Sequence, residues 1–203
     1  MRKIILLASV IIATSFISHK TETLTAEERK FAIDYFSKTK DRLLNDVKGL
    51  SVAQLSFKAD STRWSVAQCV EHISLAETLV WQHIYEAVKQ PPTPEKKSLL
   101  KYSDEQLIQL TIDRTVKFKA PEPLQPVGKF ASTDEALKYY ITRRDSTIAY
   151  INSTSDDLKN HYLVHPVMGT LNLYQALILI AAHSERHTLQ LEEVKANPNF
   201  PKQ

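Results

Sequence analysis

Residues 171–196 read LNLYQALILIAAHSERHTLQLEEVKA and predict a helix at the centre of the protein. Between Leu173 and Ala182 almost every side chain is apolar, so no face of this segment is suited to solvent. A helix that is apolar on all sides is buried among other elements. The rest of the chain must therefore supply the elements that pack around it.

The same helix carries two histidines, His183 and His187, on its buried side. Side chains four residues apart lie about 40° apart around a helix and reach the same point. Ile180 and Leu191 continue the apolar stripe on either side of the pair, so each imidazole needs a polar partner. Neutral imidazole is a good ligand for zinc, nickel, copper or iron, and a bound divalent ion is one such partner. A hydrogen bond within the core is the alternative.

Outward from this helix, side-chain caps followed by apolar residues at helical spacing predict further helices, and strand signals are weak. These helices run from a cap at Thr25 to about Lys48, from Ser65 to about Lys89, from Ser103 to about Lys119 and from Ser132 to about Ser153. The helix after Ser103 is short and is expected in a crossover. A loop with His161, His165 and Gly169 leads into the last helix. The predicted fold class is all-α, a four-helix bundle with an additional crossover helix.

The N-terminal residues have the order of a secretory signal. Arg2 and Lys3 precede an apolar run from Ile4 to Ile17, and a polar stretch follows. The run is shorter than the roughly 20 residues that a membrane-spanning helix needs. We therefore expect residues 1–18 to be a cleaved signal peptide, with no permanent membrane span and an exported, periplasmic or secreted protein. An uncleaved anchor and an apolar first helix of a cytoplasmic protein are the alternatives.

Length and composition fit one globular domain, which we place at residues 25–203. The formal net charge of +3 falls to +1 without Arg2 and Lys3, when 24 basic residues face 23 acidic ones. Charges are interspersed along helical faces with no basic stripe, so we expect no nucleic-acid partner. Cys69 is the single cysteine, which excludes an internal disulfide.

A third metal ligand is expected from another helix, because three protein ligands with open positions are typical of a reactive site. We choose His72, which stands mid-helix and shares its side with apolar residues. His83 returns to nearly the same angle but lies roughly 16 Å along the helix axis, too far to share the ion. We interpret His161 and His165 as rim or surface residues, of which His165 could touch a substrate.

Other residues near the histidines have structural interpretations. Cys69 lies one turn before His72 and is expected as a small core residue rather than a fourth ligand. Glu71 is about 100° from His72 around the helix and is expected to orient a ligand or pair with Arg186. HSERH lacks the glutamate directly after the first histidine that a zincin motif requires, and Glu185 points away from His183 and is expected in solvent. The catalytic residues stay unknown at this point.

Three segments together resemble the DinB-like superfamily, which includes the YfiT-like metal-dependent hydrolases. They are WSVAQCVEHI at residues 64–73, HPVMGT at residues 165–170 and AHSERHTLQ at residues 182–190. The resemblance covers the chain from about residue 25 to its end. It implies an up-down-down-up four-helix bundle in which His72, His183 and His187 bind zinc or nickel. It also implies a homodimer.

Two classes of function remain open. We expect a hydrolase of a small-molecule substrate, in which an ion on three histidines activates water. The resemblance also allows a thiol-dependent S-transferase or isomerase, although export counts against this reaction because such thiols are cytosolic. A non-catalytic metal-binding or ligand-binding bundle is the alternative outside the enzymes.

Overall fold

The computed structural model describes residues 21–202, so the predicted signal peptide at residues 1–18 lies outside the described residues. The helices are α1 (Ala26–Val47), α2 (Val52–Ser56), α3 (Val66–Val88), α4 (Asp104–Ile112), α5 (Thr133–Ser153) and α6 (Leu173–Lys195). The four long ones form the bundle, as the sequence predicts. No helix of the described chain is long and apolar enough to cross a membrane.

The helices begin where polar side chains cap their first backbone N–H groups. Thr25, Ser65 and Ser103 each form a complete capping box with the Glu or Gln three residues on. Ser132 accepts from the backbone of Glu135 at the start of α5. These four predicted starts are confirmed. The sequence interpretation missed the short helix α2, which has a capping box of its own.

α1 and α6 lie side by side and run in the same direction. Tyr35 donates to Glu185 at 2.8 Å, and further along both helices Lys195 pairs with Asp46 at 2.8 Å. Residue numbers thus rise together along this contact. The ion pairs and hydrogen bonds that join the two helices are partly buried, and the apolar faces of both helices turn inward.

α3 and α5 form a second parallel pair. Glu77 pairs with Arg144 at 2.8 Å, and further along both helices the rings of Trp81 and Tyr150 meet edge to face. Parallel neighbours need a long return connection, and here residues 89–132 provide it. That connection contains α4 and two 3-10 turns, Pro94–Leu99 and Glu122–Leu124.

The two parallel pairs run in opposite directions. Thr39 contacts Arg144, whereas Arg29, earlier in α1, donates to the carbonyl of Thr154, after the end of α5. In chain order the long helices are therefore up, down, down and up. The topology that the resemblance implies is confirmed.

The loop predicted before α6 is instead a β-hairpin. Strands β1 (Tyr162–His165) and β2 (Gly169–Asn172) pair antiparallel, with His165 opposite Gly169. Gly169 has a φ of 76°, a conformation that a residue with a Cβ rarely adopts. Strands of four residues are too short for an alternating pattern to be recognised, so the sequence interpretation was wrong here.

The core surrounds α6, as its apolar sequence predicts. One buried cluster joins the first half of α6 to α1, α3 and α5, and a second contains Leu191 together with Cys69 and Ile73 of α3. A smaller cluster places Met168 of the hairpin against Leu107 and Leu179. His183 and His187 lie between the first and second clusters along α6.

Candidate metal centre

Three imidazoles converge between α3 and α6. Nε2 of His72 lies 3.3 Å from Nε2 of His183, and one ring nitrogen of each of His72, His183 and His187 lies within 4.8 Å of the others. The ring centroids of His187 are 4.3 Å from His72 and 4.5 Å from His183. The structure thus brings together the three histidines that the sequence analysis selects. Within residues 21–202 no other set of three His, Cys, Asp or Glu side chains converges in this way.

The donor set fits a divalent ion. Zinc-to-imidazole bonds of about 2.0–2.1 Å in a tetrahedron place two ligand nitrogens about 3.4 Å apart. The 3.3 Å between the Nε2 atoms of His72 and His183 is close to that separation. His72 is 3% exposed and His187 9%, so water covers little of either ring. Three neutral nitrogens of this kind suit a first-row transition metal or zinc.

Hydrogen bonds on the far side of two rings orient the nitrogen lone pairs. Nδ1 of His72 lies 2.7 Å from the carbonyl oxygen of Leu124, and Nδ1 of His187 lies 2.8 Å from Oε1 of Gln190. Both partners are acceptors, so each Nδ1 carries the proton and each Nε2 presents its lone pair. In the ring of His72 that lone pair faces His183.

The environment keeps the imidazoles neutral. Burial lowers the pKa of His72, and the hydrogen bond to the Leu124 carbonyl opposes this in part. Burial lowers the pKa of His183 well below its ordinary value, and nearby His187 and His72 lower it further. The pKa of His187 is lowered well below its ordinary value by burial and then by His72. Neutral rings are the form that binds metal.

Gln190 belongs to a polar chain that the sequence analysis missed. Its Oε1 also accepts from Arg114 at 3.3 Å, and Arg114 pairs with Glu193 at 2.6 Å. The chain links His187 to the segment that follows α4. Gln190 lies three residues after His187, so its place on the same helical face was the available signal.

Residues 113–131, which contain no α-helix, lie across the centre, and we call this segment the strap. Its Leu124 carbonyl contacts His72, and Gln68 donates to the carbonyl of Pro126. Glu71 accepts from the backbone N–H groups of Gly128 and Lys129, at 2.9 and 2.7 Å. α3 therefore holds the strap through side chains that flank His72.

Arg186 anchors the first part of the strap and ends α4. Its guanidinium donates to the backbone carbonyls of Thr111, Asp113 and Val116. Because these carbonyls bond to Arg186, α4 ends at Ile112, and the predicted end near Lys119 was wrong. The expected pairing of Glu71 with Arg186 was also wrong, since both side chains bond to backbone of the strap.

Trp64 forms an aromatic wall beside the centre. Its ring centroid is 4.8 Å from that of His72 and 5.8 Å from that of His187. Cys69 is fully buried in the second core cluster, and burial raises the pKa of its thiol to about 12. Its sulfur is not among the donor atoms that converge at the centre, so its interpretation as a core residue is confirmed.

The other histidines and Glu185 lie elsewhere. His83 is exposed on α3. His161 is buried, not at the rim as expected, and both its ring nitrogens face backbone carbonyls, those of Asp157 and Gln90. Glu185 faces α1, where it bonds to Tyr35 and Arg42 with 13% of its side chain exposed, so its predicted place in solvent was wrong. His165 is partly buried at the end of β1.

Comparison with known proteins gives a family, a sequence relative and a solved structure of similar fold. The sequence model of the DinB superfamily matches residues 35–191. The uncharacterized protein YuaE of Bacillus subtilis (strain 168) is 28% identical over 160 residues, which are 79% of this chain and 94% of that protein. The structure of YfiT from Bacillus subtilis, described as "a probable metal-dependent hydrolase with an unusual four-helix bundle topology", aligns with a TM-score of 0.58. That alignment covers 88% of this chain and 91% of YfiT at 17% identity, so it shows a shared fold.

Proposed function

The chain belongs to the DinB superfamily, and on this premise we propose that it is a hydrolase of small-molecule substrates that depends on a divalent metal ion. His72, His183 and His187 hold the ion. The observation that carries the proposal is the convergence of their three ring nitrogens within 4.8 Å. The description of YfiT as a probable metal-dependent hydrolase supports it.

The residues of the chain have separate tasks in this function. A bound divalent ion supplies Lewis acidity, which acidifies water and polarises an electrophilic carbonyl. The Leu124 carbonyl and Gln190 hold two of the imidazoles in the tautomer that binds metal. Trp64 covers two rings and keeps water from that side. Three protein ligands leave coordination positions open to substrate.

Zinc or nickel is the proposed ion. Imidazole nitrogen suits both, and a site without carboxylate ligands disfavours magnesium and calcium, which prefer oxygen. We also propose that the protein is exported after removal of residues 1–18, as their charge and apolar pattern indicate. Sequencing the N-terminus of the protein recovered from a native-like host tests this proposal, and an intact Met1 in the cytoplasm contradicts it.

Metal binding is tested first, with Trp64 as the reporter. In a Trp81→Phe variant Trp64 is the single tryptophan, and nickel bound beside it quenches its fluorescence. We expect one equivalent of zinc or nickel per chain by elemental analysis and saturable quenching by nickel. His187→Ala should abolish both, whereas His83→Ala, which changes an exposed histidine on α3, should change neither.

Hydrolysis is tested on the loaded protein with panels of esters, amides and thiol-conjugation substrates. Turnover that requires the ion and is lost in His187→Ala supports a hydrolase if water is the nucleophile. Turnover only with an added thiol supports the S-transferase. Equal metal content in His187→Ala and in the unsubstituted protein overturns the proposed centre.

A further inference from the structure

His165 faces the interior of the molecule from the end of strand β1. Side chains alternate between the two faces of a strand, and Val164 is 79% exposed on the outer one. Leu163, on the same face as His165, packs against two of the buried apolar clusters. His165 itself is partly buried. The hairpin thus directs this imidazole towards the bundle.

The turn of the hairpin determines which ring nitrogen carries the proton. Nδ1 of His165 accepts from the backbone N–H groups of Val167 and Met168, at 3.2 and 3.1 Å. An Nδ1 that accepts leaves the proton of a neutral imidazole on Nε2. Within residues 21–202 the structure gives this Nε2 no hydrogen-bond partner, unlike His161, whose two nitrogens both face carbonyls.

The turn lies beside the metal centre. Met168 is buried in one apolar cluster with Leu179, which precedes His183 by one turn of α6. The imidazole of His165 also lowers the pKa of His183, with a smaller effect than burial, His187, His72 and Arg186. Leu179 and His183 are four residues apart on one face of α6, so the turn that carries His165 packs on the face of α6 that holds His183.

We propose that His165 binds substrate: its neutral ring donates the Nε2 hydrogen to a carbonyl or carboxylate oxygen of a molecule held at the metal centre. The proposal rests on the proposed function and adds a substrate class, molecules that present such an oxygen. A fixed donor aimed at an oxygen where negative charge develops also favours hydrolysis. No proton transfer by His165 is needed.

Two substitutions separate this role from the structural role of Nδ1. In His165→Asn the side-chain oxygen replaces Nδ1 as acceptor for the turn, but no donor reaches the position of Nε2. In His165→Gln the amide nitrogen takes the position of Nε2 as donor, and the Nδ1 acceptor is lost. His83→Asn serves as the matched control on an exposed histidine.

The probe is acetate, which offers only hydrogen-bond acceptors. Each protein is loaded with cobalt(II), and acetate is titrated while the visible spectrum of the cobalt is recorded. We expect His165→Asn to weaken acetate binding about tenfold, as loss of one hydrogen bond to a charged group predicts. His165→Gln should stay within about threefold of the unsubstituted protein, and cobalt affinity should be the same in all four proteins.

Equal acetate affinity in His165→Asn and the unsubstituted protein overturns the proposal. Acetate affinity that is weakened equally in His165→Asn and His165→Gln also overturns it, because that result indicates a role in the turn alone. Nitrogen-15 NMR of the metal-free protein gives an independent test, because the two tautomers have different ring shifts. The Nε2–H form is expected, and an Nδ1–H form overturns the proposal. Failure of the proposed function is distinguishable, since cobalt would then not bind before any acetate is added.

Discussion

Replacement of Gln190 by Leu should weaken metal binding without unfolding the protein. Oε1 of Gln190 accepts the Nδ1 proton of His187 at 2.8 Å and so holds the Nε2 lone pair ready for the ion. Without this acceptor the ring is free to move its proton to Nε2 or to turn. Groups that support a ligand in this way typically contribute 10- to 100-fold to metal affinity.

The structure places the expected loss in the lower half of that range. The hydrogen bond between Gln190 and His187 is present without metal, so its removal costs stability in the metal-free and the metal-bound protein alike. The affinity for metal falls only because the ring loses its preference for the tautomer that binds the ion. Gln190 is also partly exposed, and water can take some of its place. We therefore expect a Kd for zinc about 10- to 30-fold higher, or about 1.4–2 kcal/mol.

Zinc affinity is measured by competition with a chromophoric chelator at fixed pH. Gln190→Glu should bind zinc at least as tightly as the unsubstituted protein, because a carboxylate accepts the same proton and Arg114 lies beside it. Gln82→Leu, on an exposed position of α3, is the control. If Gln190→Leu and Gln82→Leu have the same zinc affinity, the orienting role of Gln190 is refuted.

Removal of the metal with a chelator should lower the melting temperature by about 8–16 °C relative to protein at a free-zinc concentration 1,000 times Kd; equal melting curves would contradict an ion at this centre. The metal-free protein should lose stability as the pH falls below 6.5, since the folded state holds the pKa values of His72, His183 and His187 below that ordinary value and the unfolded chain binds more protons. Chemical denaturation from pH 7.5 to 5 measures this loss. In a His183→Gln variant the free energy of unfolding should fall less steeply as the pH falls, and equal slopes in the two proteins would count against this explanation. Glu77→Ala should destabilise the fold by about 3–5 kcal/mol, because it leaves the guanidinium of Arg144, which is 0% exposed, without its ion-pair partner; urea titration checks this, and a loss under 1 kcal/mol would show that water or another group compensates.

Local signals in the sequence predicted the helices well. Thr25, Ser65, Ser103 and Ser132 cap helices because their hydroxyl oxygens accept a nearby backbone N–H, an interaction that needs only adjacent residues. The apolar run of α6 likewise reports its burial directly. The spacing of His183 and His187 places both on one face, and His72 was selected from its place mid-helix before the family resemblance implied the same three ligands.

Contacts between distant segments account for what the sequence did not predict. α4 ends at Ile112, where Arg186, more than seventy residues later, bonds to the carbonyls of Thr111 and Asp113. The acceptor for His72 is a backbone carbonyl at Leu124, and any residue type offers the same group. His161 is buried with one ring nitrogen facing the carbonyl of Gln90, 71 residues earlier in the chain. No pattern within a short window of sequence reports these partners.

The distance in the chain between the two ligand-bearing helices has a consequence for biosynthesis. His72 and His183 are 111 residues apart, and α4 and α5 are made between them. A nascent chain that has released only α1 and α3 offers one of the three ligand imidazoles, His72, and a single ligand binds ions weakly. A ribosome must therefore complete α6 before the protein competes for zinc, so partly made chains neither sequester scarce metal nor become trapped around it.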